Sequence, residues 1–172
     1  MTVPYESDSA QQHRRQSASS VRCAVITSSD TRSLADDRGG DLLGEMLQVA
    51  GHLVVARQVV PDDLRQLAAL TEKYCDDVDA VFVTGGTGVA ARDQTPEAIE
   101  PLFDKRLPGF GELFRMLSYQ EIGAAAMLSR ASAGVRNRTV VALLPGSPAA
   151  VRLAMDKLVA PELAHLVQQA RK

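Results

Sequence analysis

The chain has 172 residues, 45% of them hydrophobic and 23% charged, with a formal net charge of -2. That balance fits a globular domain with a sizeable core and excludes the basic footprint of a nucleic-acid binder. No apolar run approaches the roughly 18 residues that a membrane helix needs, so a small polar or anionic ligand is the class to expect.

Residues 1–20 are rich in Ser, Gln and Arg and lack an apolar signal core. They read as a disordered tail before one domain over 21–172, with the cytosol as the expected compartment. From Val21 the pattern alternates between short apolar strands and helical segments, which predicts a mostly parallel sheet covered on both faces. "VRCAVITSSD" opens with a strand. In "GGDLLGEMLQVAGH", Leu43, Met46, Leu47 and Ala50 keep helical spacing until Gly51 closes the element. "LVVARQVV" is a second strand, and Asp62 and Asp63 open a helix with Leu64, Leu67, Ala68, Thr71, Tyr74 and Cys75 on its apolar face. "DAVFVTGG" is a third strand, continuously apolar as a central parallel strand should be.

Past the glycines, Thr95 is the expected N-cap of a helix with Pro96 at its first position, and Pro101 ends that helix early. "GFGELFRMLSYQEIGA" carries Phe110, Leu113, Phe114 and Leu117 on one side, a face that serves core or contact equally well. "ASAGVRNRTVVALLPG" predicts two antiparallel strands around a turn at Arg136 and Asn137. The segment from Ser147 is a helix interrupted near Pro161. The two cysteines, Cys23 and Cys75, lack metal-ligand spacing and read as reduced, buried small hydrophobes. None of His13, His52 and His165 has an obvious catalytic partner.

In open α/β sheets the ligand crevice lies beyond the carboxyl ends of the strands. Polar residues follow three of these ends: Ser28, Ser29 and Asp30; then Asp62; then Gly85 to Gly88 with Asp93. Glycines let backbone amides approach an anion closely and permit positive φ, as phosphate-cradling loops require. The loop matches neither G-x-x-x-x-G-K-[ST] nor G-x-G-x-x-G, so as a bare pattern it is equally a sharp strand-to-helix turn. Asp62 and Asp93 at the same edge have the chemistry to hold Mg²⁺ against a phosphate chain. Each also has a structural alternative: Asp62 or Asp63 as a helix cap, and Asp93 as the organiser of its own turn. Arg92 either meets phosphate or faces solvent. "PGSP", Pro145 to Pro148, breaks a strand and starts a helix at the same crevice.

Taken in order, "TGGTG", "RDQTPEAI", "LPGFGELFRMLSYQEIG", "LSRASAGV" and "LLPGSPAAV" closely resemble the molybdenum-cofactor biosynthesis MoaB/MogA family, over Val21 to Leu166. The resemblance implies a three-layer α/β/α sandwich with a mostly parallel sheet, assembled as trimers or as hexamers built from trimers. It also implies a molybdopterin pocket and handover to a molybdenum-insertion partner. Enzymatic members adenylate molybdopterin, using ATP and Mg²⁺ and releasing pyrophosphate. By resemblance, Asp62 and Asp93 are the catalytic carboxylates and hold Mg²⁺. Thr84, Gly85, Gly86, Thr87 and Gly88 cradle phosphate, and Ser28 and Asp30 form the pocket floor. Ser129 contacts the pterin, and Gly146, Ser147 and Pro148 form one rim. The wording of "LFRMLSYQEIGAAAMLSR" and "PGSP" is nearer the MoaB branch, some members of which keep the fold while a paralogue carries out adenylation. The alternative is therefore a non-catalytic molybdopterin carrier or regulatory homologue.

Overall fold

Ser28 and Thr84 end two strands that lie side by side and run parallel, and the cleft opens at these ends. The structure, a computed structural model, describes residues 20–172; the tail expected over 1–20 and His13 fall outside these residues, Ser20 apart. Six strands, β1 (Arg22–Ser28), β2 (Leu53–Val60), β3 (Ala80–Thr84), β4 (Lys105–Arg106), β5 (Ser132–Arg136) and β6 (Thr139–Leu144), form one sheet in the order β2-β1-β3-β6-β5-β4. β2, β1, β3 and β6 run parallel, while β5 and β4 are antiparallel additions. The chain crosses from β1 to β2 on one side and returns to β3 on the other, so the β1/β3 junction is a topological switch point.

The helices are α1 (Arg38–Val49), α2 (Leu64–Asp77), α3 (Thr95–Ile99), α4 (Pro108–Ile122), α5 (Pro148–Ala154) and α6 (Ala160–Ala170). Successive residues of a strand point to opposite faces, and the core divides accordingly. Cys23, Val25, Phe82, Val140 and Ala142 pack with Leu43, Leu47, Phe114, Val151 and Leu163, which come from α1, α4, α5 and α6. Ala24, Ile26, Val81, Val83, Val141 and Leu143 pack with Leu67, Tyr74, Cys75, Ala98 and Ile99 from α2 and α3. The result is the expected three-layer α/β/α sandwich. Cys23 and Cys75 are free and buried, and burial pushes both thiols up to about 12.

Several local expectations are corrected. The N-cap of α3 is Gln94, with no side-chain cap bond; Thr95 is already helical, and its hydroxyl donates instead to the Gly85 carbonyl at 2.8 Å. The β5–β6 turn centres on Asn137 and Arg138, at φ 48 and 68, one residue beyond the expected pair. β4 had no signal in the sequence: its two residues are exposed and owe their conformation to pairing with Gly134 and Val135. The closing helix is continuous, with a π-helical stretch over Met155–Val159 just before Pro161. The missing amide hydrogen of proline removes an i→i−4 bond, so the ladder changes register there instead of breaking.

Candidate functional site

The registers Thr27↔Thr84, Ser28↔Val60 and Thr84↔Leu144 bring the ends of β1, β2, β3 and β6 to one edge of the sheet. There a cleft of about 470 Å³ opens, lined by Ser28 to Arg32, Asp62, Gly85 to Gly88, Arg92, Asp93, Leu128, Ser129 and Pro145 to Ser147. Of the residues singled out in the sequence, Ser28, Asp30, Asp62, Gly85, Gly86, Thr87, Gly88, Asp93, Ser129, Gly146 and Ser147 share this cleft. Two do not reach it. Thr84 is fully buried and its hydroxyl donates to the Pro145 carbonyl at 3.1 Å, so it ties β3 to the rim. Pro148 lies in the first turn of α5, beyond the lining, where Ser147 caps the helix by accepting from the Ala150 amide at 3.3 Å.

Close approach explains the glycines. Gly85 and Gly86 have φ of 97 and 61, a region that side chains disfavour. A Cβ on Gly85 would stand 2.4 Å from the Ser28 carbonyl oxygen, and one on Gly86 would stand 2.4 Å from the Thr95 hydroxyl. The strand end is pinned by the Gly85 amide donating to the Leu144 carbonyl and the Thr95 amide donating to the Gly86 carbonyl, at 3.0 and 3.1 Å.

The two carboxylates stand against different glycines of this loop. A Cβ on Gly86 would lie 3.4 Å from Asp62 Oδ1, and one on Gly88 would lie 2.6 Å from Asp93 Oδ2. Asp62 Oδ1 accepts from the Ser28 hydroxyl, and the Asp62 amide donates to Asp30 Oδ1 at 3.0 Å. Asp63, and not Asp62, caps α2, accepting from the Gln66 amide at 2.8 Å. This leaves Asp62 turned to the cleft. Asp93 does order its own turn: Oδ2 accepts from the Ala90 amide at 2.9 Å. Asp62 Oδ2 and Asp93 Oδ1 accept no hydrogen bond among the described residues.

Two arginines frame the cleft, and one of them, Arg32, carries no local mark in the sequence. It donates to the Gly146 carbonyl at 3.2 Å, bridging the loops after β1 and β6 across 114 residues. Arg92 lines the cleft and is exposed. Outside the cleft wall, Arg130 donates to the Gly88 carbonyl at 2.8 Å, to the Asp93 carbonyl and to the Glu97 carboxylate. The bond from Arg130 holds Glu97 below the ordinary carboxylate value. These partners are distant in sequence, so no local pattern marks them.

Fold and cleft together define a doubly wound α/β protein with its ligand crevice at the switch point. The chain belongs to the molybdenum-cofactor biosynthesis MoaB/MogA family, since the family model described as a probable molybdopterin binding domain matches residues 24–165. It is 52% identical over 167 residues to molybdenum cofactor biosynthesis protein B of Bacillus subtilis, covering 95% of this chain and 98% of that one. It is 44% identical over 145 residues to the protein of that name in Escherichia coli K12, covering 83% and 85%. A solved structure of the tungsten cofactor synthesizing protein MoaB from Pyrococcus furiosus superposes with a TM-score of 0.80 at 40% identity, covering 90% of this chain and 99% of that one. A MogA structure gives 0.76 at 30% identity, over 87% and 99%.

Proposed function

We propose that the cleft binds molybdopterin and ATP and transfers AMP to the terminal phosphate of the pterin. The observation that carries this reading is the pair of carboxylates, Asp62 and Asp93, set beside two glycines of one loop in a single cleft at the edge of four parallel strands. In the reaction a phosphate oxygen of molybdopterin attacks the α-phosphorus of ATP. The bond from that phosphorus to the bridging oxygen breaks, and pyrophosphate leaves with the electron pair. Such a transfer needs positioning and charge neutralisation and no covalent nucleophile. The Gly85–Gly88 backbone grips phosphate oxygens, with Arg92 at the rim. Ser28 holds Asp62 in place by its hydrogen bond.

The residues fit Mg²⁺. Among the described residues no three His, Cys, Asp or Glu side chains converge into a cage. Mg²⁺ is ordinarily held by one or two carboxylates together with substrate phosphates and water, and Asp62 and Asp93 each keep one oxygen for that purpose. When bound, the ion would neutralise charge on the polyphosphate.

A second reading, a non-catalytic molybdopterin carrier, is favoured by the structural work that Asp93 already does in capping its turn. Assembly as a trimer or hexamer, with handover to an insertion partner, belongs to the same proposal. It is supported by the exposed apolar side chains of α4, Leu113, Met116, Tyr119 and Ile122.

The test is pyrophosphate release from molybdopterin, ATP and Mg²⁺, with Asp62→Asn and Asp93→Asn alongside. A drop of about 100-fold or more in both variants is expected, the scale for loss of a preorganised charged group. Folded variants as active as the wild type would remove the carboxylates from the mechanism. A wild type that binds molybdopterin without turnover would be a carrier.

A further inference from the structure

We propose that Arg130 is a positioning residue that clamps the glycine loop and presents Asp93 to the cleft, an inference that rests on the role given to Asp93 above. Arg130 lies between a 3₁₀ stretch (Gly123–Leu128) and β5, and its backbone amide donates to the Thr87 carbonyl at 2.9 Å. Its guanidinium then makes three separate contacts. Nε donates to the Gly88 carbonyl at 2.8 Å, one terminal nitrogen to the Asp93 carbonyl and the other to the Glu97 carboxylate. One planar fork thus spans the end of the glycine loop, the turn carrying Asp93 and the first turn of α3.

The segment between Gly88 and Asp93 has little else to hold it. Val89 is 66% exposed, and Ala90, Ala91 and Arg92 are exposed as well, so no apolar anchor ties the loop to the core. Among the described residues its other bonds are local: the Asp93 amide donates to the Ala90 carbonyl and the Ala90 amide to Asp93 Oδ2, both at 2.9 Å, and the Gln94 side-chain amide donates to the Ala91 carbonyl at 3.1 Å. These shape the turn without attaching it to the fold. Arg130 supplies the attachment, and the geometry demands arginine: two carbonyls and a carboxylate in different directions suit a rigid fork of donors, whereas a lysine ammonium offers one point charge. Arg130 touches no reacting atom in this scheme and acts through Asp93.

The experiment compares wild type, Arg130→Lys and Arg130→Ala by hydrogen exchange of the segment 87–94, by kcat and KM for pyrophosphate release, and by unfolding midpoint. In both variants the loop amides are expected to lose protection while β6 keeps its own. The kcat of Arg130→Ala should fall about 100-fold, as a displacement of about 1 Å at a reacting centre can cost, with KM for ATP changed less than about threefold. If Arg130→Ala does not fold, Arg130→Lys decides. Unchanged loop protection, or a raised KM at constant kcat, would overturn the clamp. A wild type without pyrophosphate release would defeat the adenylylation reading instead, and loss of loop protection in the variants would still support the clamp.

Discussion

The hydroxyl of Ser28, at the end of β1, donates to the carboxylate of Asp62, just past the end of β2, joining two loops 34 residues apart. Ser28 is 4% exposed, so the donor is largely shielded although both residues line the cleft. Ser28→Ala should leave Asp62 free to turn. We expect about a tenfold fall in pyrophosphate release and a stability loss of about 1.5–3 kcal/mol, the scale of a hydrogen bond to a charged group. Urea unfolding and initial rates measured together check this; unchanged rates would show that Asp62 is held by other means.

Asp62 and Asp63 are adjacent and chemically identical, yet the structure gives them separate tasks. Asp63 caps α2 through the Gln66 amide, while Asp62 lines the cleft. Asp63→Ala should therefore cost about 1 kcal/mol of stability, as loss of an N-cap does, with activity retained. Asp62→Asn should do the reverse. If both variants lose activity equally, the division is wrong.

The glycines separate in the same way. An alanine at Gly85 must adopt a positive φ and bring its Cβ to 2.4 Å from a backbone oxygen of Ser28, which cannot swing aside. We expect Gly85→Ala to cost about 1–3 kcal/mol, the range for strained backbone, and to disturb the Ser28–Asp62 bond. A Cβ added to Gly44, inside α1, would meet no neighbouring side chain or element within 4 Å, and the backbone there is ordinary helix. Gly44→Ala should stabilise by about 0.5–1 kcal/mol through helix propensity. Thermal denaturation of the two variants distinguishes them, and a shift of the same sign in both would contradict the assignment.

Much of this architecture is legible because its causes are local. The continuous apolar run of β3 and the helical spacing of Leu43 and Leu47 each follow from which faces must be buried, and both appear in the sequence as periodicity. The strand-end rule then collects Ser28, Asp62 and the glycines before any contact is known. What escaped depends on partners far along the chain. Thr95 has the composition of a cap, but the Gly85 carbonyl 10 residues earlier takes its hydroxyl. Arg32 and Arg130 look like surface charges until the Gly146 and Gly88 carbonyls are placed beside them. The β5–β6 turn falls one residue beyond its expected place because the strand register pairs Arg136 with Thr139, which leaves Asn137 and Arg138, the latter a poor choice for positive φ, as the two turn residues.

That choice is itself testable. Arg138 sits at φ 68 with an exposed side chain, and a left-handed conformation costs a residue other than glycine about 1–2 kcal/mol. Arg138→Gly should recover part of this, raising stability by up to about 1 kcal/mol. Asn137 should be left in place, because its amide donates to Asp104 and its side chain to Asp76, at 2.8 and 3.2 Å. A destabilised Arg138→Gly would mean that flexibility gained by the unfolded chain outweighs the strain removed.

Stability should also depend on pH through His52, which joins α1 to β2. The residue is 9% exposed, its amide donates to the Leu47 carbonyl at 2.9 Å, and its buried Nδ1 has no hydrogen-bond partner among the described residues. Burial disfavours the imidazolium, so the folded value lies below the ordinary 6.5. Between the two values the unfolded chain binds more protons than the native one. Stability from this group is therefore complete above the unfolded value and falls as pH drops below it, until the folded value is passed. Urea midpoints at about pH 7.5 and about pH 5.5 should differ more for the wild type than for His52→Gln, which cannot take up that proton. An equal difference in both proteins would assign the acid sensitivity to other groups.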